Sequence, residues 1–217
     1  MDINILCDNK DSWFWRTSNI FLDDLKSRGH NVNLCKNESE LINADVSAFI
    51  SCTKIVTPDG LKKSKSNIEC HPSDLPNGRG FSPIAWEILN NSDQIVFTLF
   101  EADEKVDNGK IYFKKSIDLI GTELNNEIKI IQADTTYSMI LEYIDNYPHN
   151  TSYEQEGEET YYPRRTPSDS ELDIKQSIES QFNLFRIVDN DLYPAYFKYK
   201  NRKYVLKIEK EENNSSN

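Results

Sequence analysis

Long apolar runs, clustered basic residues, paired cysteines and glycine-rich phosphate loops are all missing from this 217-residue sequence, and each absence argues against a class of function. No stretch approaches the roughly 20 apolar residues that a helix needs to cross a bilayer, so no membrane role is expected. The opening MDINILCDNKDSWFW lacks a cationic start followed by an apolar run and a small-residue cleavage site. It reads as a chain without a signal peptide, residing in the cytoplasm. The formal net charge is −11, with no Lys/Arg run to offset it. Polynucleotide binders draw much of their affinity from neutralising phosphates, so a nucleic-acid partner is not expected. The four cysteines, Cys7, Cys35, Cys52 and Cys70, show no CxxC spacing, and only Cys70 has a histidine beside it. They read as buried thiols in a reducing compartment, and no metal site is expected. There is neither a GxGxxG after the first apolar run nor a GxxxxGK[ST] anywhere, so dinucleotide and P-loop chemistry are not expected either. No repeat or clear linker divides the chain, which suits one domain, or one with a small appendage.

What the sequence does have is alternation. INILC reads as a buried strand. Ser18 reads as the N-cap of a helix with Ile20, Phe21, Leu22 and Leu25 on one side, ending at Gly29. HNVNLC reads as a second strand, ESELINAD as a short helix, VSAFIS as a third strand, and NIECH as a fourth after the connection TPDGLKKSKS. QIVFTLFEA is the strongest strand in the chain, running into a polar loop with a turn signal at Asn108-Gly109. Residues 122–147 have helical spacing, with Leu124, Ile128, Ile131, Met139, Ile140 and Ile144 as core. Residues 148–168 are irregular, a helix is expected near 169–184, and AYFKYKNRKYVLKI reads as a hairpin. The alternation implies an α/β fold with an open, mostly parallel sheet flanked by helices, whose ligands sit at the carboxyl ends of strands.

The loop HPSDLPNGRGFSP begins where NIECH ends, which puts His71 at such an end. Ser82 and Pro83 look like an N-cap and first helical residue opening PIAWEILNN. A second titratable cluster, Glu101 to Asp107, follows IVFTLF. A histidine held by a carboxylate at a neighbouring strand end suits general acid/base work, because an imidazole titrates near neutrality and the carboxylate fixes its tautomer. The same pattern also fits a histidine that only braces a proline-rich loop.

NIECHPSDLPNGRGFSPIAW, followed 36 residues after His71 by Asp107 in EADEKVDNGKI, resembles the folate-dependent formyltransferases. The matching parts are His71 ending a strand, the turn Ser73-Asp74-Leu75-Pro76, Arg79-Gly80 with Ser82-Pro83, and Asp107-Asn108-Gly109. The later YYPRRTPSDSELD and YPAYFKYKNRKYVLKI are most similar to small sugar N-formyltransferases of pseudaminic-acid-type amino-sugar pathways. The resemblance covers about residues 45–115 firmly and 155–208 more loosely. It implies a Rossmann-like catalytic domain over 1–150, a C-terminal helix and β-hairpin extension over 151–208 completing the substrate site, and a disordered tail over 209–217.

The implied reaction carries a formyl group from 10-formyltetrahydrofolate, without metal, to the amine of a nucleotide-linked amino sugar, through a tetrahedral oxyanion. His71 would carry the proton and then help stabilise the oxyanion; Asp107 would orient it. Where relatives have Asn two residues before the histidine, this chain has Glu69, with Asn67 two residues further back on the same side of the strand. Asn67 is the expected donor to the oxyanion and Glu69 the alternative, although an ionised Glu has no hydrogen to donate. The resemblance assigns the folate to Lys54, Ile55 and Val56, with Lys54 meeting its anionic end, and to Glu101, Ala102 and Val106, where loop backbone reads the pterin edge. Ser73, Trp13, Arg164 and Arg165 are the expected acceptor contacts, the two arginines pairing with phosphates; Trp13 suits the core as well as the cleft. The chain is expected to act as a monomer or homodimer. Formylation of methionyl-tRNA or of another small amine is the alternative: the first is less expected for so acidic a chain, since tRNA members usually carry a basic C-terminal domain, and a glycinamide ribonucleotide acceptor is less expected given the YYPRRTP and PAYF extension. A folate- or sugar-nucleotide-binding protein without catalysis is the alternative of another class.

Overall fold

The computed structural model describes residues 1–211, and most of the tail expected at 209–217 lies outside the described residues. The chain runs β1 (Asp2–Leu6), α1 (Phe14–Ser27), β2 (Asn31–Cys35), β3 (Ala44–Phe49), α2 (Pro58–Leu61), β4 (Ser64–His71), β5 (Arg79–Gly80), α3 (Pro83–Leu89), β6 (Gln94–Glu101), β7 (Ile111–Asp118) and α4 (Asn125–Asn146). It continues through β8 (Tyr161–Tyr162), α5 (Phe182–Ile187), β9 (Ala195–Tyr199) and β10 (Arg202–Leu206). Six strands form one sheet in the order β2-β1-β3-β4-β6-β7, with β1 to β4 parallel. Among the described residues no helix is long and apolar enough to cross a membrane.

The sheet is not parallel throughout. β6 runs antiparallel to both β4 and β7, so β4 and β7 point the same way with β6 reversed between them. Short connections explain this: the loop 102–110, which turns at Val106 and Asp107 rather than at the expected Asn108-Gly109, makes a hairpin of β6 and β7, and α3 is too short to carry the chain back the length of the sheet before β6. A Cβ at Gly109 would lie 1.6 Å from the Glu101 carbonyl oxygen, so only glycine fits the hairpin there.

Alternation along the strands gives the sheet two unlike faces. Ile3, Ile5, Val46, Ala48, Ile68, Phe97 and Leu99 face α1 and α4 in the main core. Each such side chain stabilises by about 1.5–3 kcal/mol relative to exposure. On β4, Ser66 bonds the Tyr143 hydroxyl at 2.6 Å and Cys70 meets Met139, both on α4. The opposite face carries a smaller cluster of Leu6, Cys35, Leu41, Phe49 and Val56.

Several local expectations fail for identifiable reasons. α1 starts four residues earlier than Ser18, at Phe14, where the Ser12 hydroxyl accepts the Phe14 N–H. Ser18 shares the buried stripe of Phe14, Phe21, Leu22 and Leu25, whereas Ile20 is 85% exposed, two residues off that stripe. ESELINAD forms only a 3-10 turn at Glu38–Glu40, because the buried Asn4 amide pairs with both backbone groups of Ile42 and holds it extended. Ser82 occupies the N-cap position of α3 but with left-handed φ and no cap bond from its side chain. The helix expected over 169–184 is reduced to 3-10 turns and α5. The Leu172 N–H donates to Tyr196 of β9, and Gln181 ties back to the Asp173 backbone, so the chain between is committed to other partners. Two of the four thiols, Cys7 and Cys35, are buried; Cys52 and Cys70 are half-buried.

Candidate active site

The odd residues of β4, Asn67, Glu69 and His71, face away from α4. Register sets Glu69 between Phe49 of β3 and Phe100 of β6, with His71 beside Thr98. Immediately after β4 the chain turns: the Ser73 N–H bonds the His71 carbonyl, and Thr98 donates its hydroxyl to the Ser73 carbonyl at 2.7 Å. This tight turn brings the loop back over the imidazole. His71 is buried, with Nε2 2.9 Å from the Gly78 carbonyl oxygen and Nδ1 3.5 Å from Asp107 Oδ1. A carbonyl only accepts, so Nε2 carries the proton in this contact. The approach to Asp107 is longer than a formed hydrogen bond.

Asp107 arrives on the loop between β6 and β7, with φ +49°. Its Oδ2 accepts the Gly80 N–H at 2.7 Å. Gly80 itself has φ +97°, and a Cβ there would lie 2.6 Å from the Tyr162 carbonyl oxygen. The close approach exists because β5 pairs in parallel with β8, so the irregular segment after residue 150 closes over the loop. Gln155 fastens it further, donating to the carbonyls of Asp107 (3.0 Å) and Gly109 (2.8 Å) while accepting from Arg79 (2.7 Å). Arg79 is buried within the loop and paired with Glu159 at 2.9 Å.

Glu69 lies deep in the protein, yet half-buried by its own surface, so it lines an opening rather than the packed core. Burial, and then the nearby Asp107 charge, push its carboxyl well above the usual carboxylate range. Burial likewise pushes the Cys52 thiol up.

The structure thus brings His71, Asp107 and Glu69 together. It does not bring Asn67 to them. Asn67 sits four residues back, about 13 Å along the strand at roughly 3.3 Å per residue, and its amide NH₂ is held by the Leu61 carbonyl at 2.9 Å. The placement of Asn67 as oxyanion donor is therefore corrected: that strand position is too far down, and its amide is turned to the Leu61 carbonyl.

Other expected residues divide similarly. Ile55 (53% exposed), Val106 (42%) and Lys54 stand free at the surface, whereas Val56 packs into the small cluster with Phe49 and Ala102. The backbone N–H groups of Glu101 and Ala102 are already bonded, to Lys110 and Asn67, so those two donors cannot read a ligand. Ser73 is buried inside its turn with an unpartnered hydroxyl. Trp13 packs on Tyr137 of α4 at 5.8 Å, on the face of the sheet opposite His71, and joins the core rather than the cleft. Arg164 stacks over Phe81, next to Gly80, at 4.3 Å, but Arg165 folds away onto the Asp169 carbonyl, so the two do not act as a pair. Nothing in the sequence marks Gln155, Thr98 or the Gly78 carbonyl as part of this site, and the stretch expected to be irregular adds the short strand β8. Among the described residues no three His, Cys, Asp or Glu side chains converge as metal ligands do.

Residues 10–144, more than half of the chain, match the family described as Formyl transferase. A methionyl-tRNA formyltransferase of Thermosipho melanesiensis is 27% identical over 150 residues, covering 69% of this chain and 49% of that protein. The chain spans about half the length of the curated relatives it matches. The solved methionyl-tRNA formyltransferase from Clostridium thermocellum has a TM-score of 0.82 at 24% identity, covering 99% of this chain and 95% of that one. A sugar N-formyltransferase from a Shewanella species has a TM-score of 0.68 at 16% identity, covering 97% and 98%. These two structures share the fold, a mostly parallel sheet flanked by helices.

Proposed function

The chain belongs to the formyl transferase family, and from that premise we propose that it transfers a formyl group from 10-formyltetrahydrofolate to the amine of a nucleotide-linked amino sugar. The observation that carries the reading is the buried His71–Asp107 pair at the carboxyl end of β4, closed over by Gly80.

The folate donor supplies an electrophilic formyl carbon. Exposed Ile55 and Val106 offer apolar faces to its rings, Lys54 a cation to its acidic end, and the buried, unpartnered Asn67 Oδ1 an acceptor for a ring amine. The acceptor amine must lose one proton as its nitrogen becomes an amide. His71 accepts it in its other tautomer: once Nε2 leaves the Gly78 carbonyl and the ring proton sits on Nδ1, held by the Asp107 carboxylate that Gly80 fixes, Nε2 takes the amine proton and Asp107 stabilises the charged ring. His71 then returns the proton to the donor nitrogen as its bond to the formyl carbon breaks, so no net proton is gained or lost.

The sugar-nucleotide assignment rests on charge and on the rim. A chain of net charge −11 is poorly matched to a polyanion. Arg164 on Phe81 and the Trp86–Tyr162 stack at 6.2 Å flank the loop with one cation and aromatic faces. Methionyl-tRNA is the second reading, favoured by the names of the curated relatives. Incubation with 10-formyltetrahydrofolate and a panel of nucleotide-linked amino sugars, read as a mass gain of one formyl group, tests the proposal; transfer to methionyl-tRNA but to no sugar overturns it. His71→Asn should lower transfer by about 10²–10⁴ while folate binding persists.

A further inference from the structure

Two carboxyl groups lie near His71, Glu69 on its own strand and Asp107 on the β6–β7 loop, and their surroundings differ. Asp107 has a bonded donor, the Gly80 N–H 2.7 Å from Oδ2, and the His71 imidazole 3.5 Å from Oδ1. Glu69 has none: no hydrogen bond and no Lys or Arg ion pair reaches it among the described residues, and its β-sheet neighbours are Phe49 and Phe100. The titratable groups around it are Asp107 from the β6–β7 loop, Cys52 from the loop after β3, and His71 and Cys70 from its own strand. Donors favour a charged carboxylate and their absence favours the neutral acid, so a proton on this pair of carboxyls belongs on Glu69.

We propose that Glu69 serves as an un-ionised carboxylic acid, two residues before His71 on the same side of β4, donating its O–H hydrogen bond to the formyl oxygen during transfer. The role rests on the formyl-transfer reading above. As the amine nitrogen bonds to the formyl carbon, the C=O pair moves onto oxygen, and this oxygen accepts the hydrogen bond. Glu69 keeps its proton throughout; the amine proton travels by way of His71. An amide N–H at this position would do the same work, but Glu69 adds a pH limit: transfer ends when it ionises.

The test joins two readouts. Infrared difference spectra of the free protein should show the carbonyl stretch of an un-ionised acid at neutral pH, lost in Glu69→Gln; its absence from the wild type overturns the proposal without any substrate. In transfer assays Glu69→Gln, which donates but does not titrate, should keep activity and lose the alkaline fall seen in the wild type, and Glu69→Leu should drop about 10²–10³-fold. Wild-type rates in Glu69→Leu, or a Glu69→Gln as inactive as Glu69→Leu, overturn it. If the wild type transfers to no acceptor, the formyl-transfer reading fails and this role with it, and the infrared band then separates that failure from a misplaced proton.

Discussion

Two glutamates sit in enclosed places, Glu123 just before α4 and Glu69 on β4 two residues before His71, and they are treated in opposite ways. Glu123 accepts from the Ile120 N–H at 2.6 Å, the Gly121 N–H at 3.0 Å and Arg186 at 3.0 Å, while Arg186, 2% exposed, also bonds Asn183. Burial pushes its carboxyl up, but the backbone N–H groups and the guanidinium outweigh it and hold Glu123 below the usual carboxylate range. Glu69 is given no donor and is pushed the other way. A carboxylate held by three donors is a clasp, here joining α5 to the head of α4. One left unanswered beside an opening is available to a ligand.

Changes that strand or release these groups break the comparison most sharply. Arg186→Met leaves Glu123 enclosed without its cation and should cost about 3–5 kcal/mol in denaturant unfolding. Gln155→Ala removes the fastening of Asp107 and Gly109 and leaves Arg79 short of an acceptor, which should cost about 1–3 kcal/mol and slow transfer as well. Glu69→Leu should be neutral or slightly stabilising, since it replaces an unpartnered carboxyl among phenylalanines, even as transfer collapses. The gentlest test is pH. Glu123, lowered on folding, contributes stability that is present above about pH 4.3 and lost as pH falls through its folded value. Glu69, raised on folding, contributes stability that is present below about pH 4.3 and lost as pH rises toward its folded value. Melting curves should therefore show Glu69→Gln gaining on the wild type from acid toward neutral pH, while Glu123→Gln loses ground over the same range.

The sequence carried the sheet pattern well, because NIECH, VSAFIS and QIVFTLFEA are strands by composition alone, and His71 follows directly from where NIECH stops. The reversal of β6 was not legible, since direction is set by connections and packing rather than by the strand's own residues. Trp13 beside a strand end suited cleft and core equally, and only the Tyr137 contact across α4 decides for the core. Asn67 and Glu69 share a face by period two, but the sequence does not reveal that Leu61 takes the Asn67 amide. Gln155 had no signal at all: its role comes from two carbonyls brought together by the β6–β7 turn.

The most direct measurement follows a carbon-labelled formyl group from 10-formyltetrahydrofolate to a nucleotide-linked amino sugar across pH, in the wild type and Glu69→Gln. Label should reach the sugar amine with both proteins, falling at alkaline pH only in the wild type. Label on no sugar amine, or identical pH profiles for the two, would contradict the account.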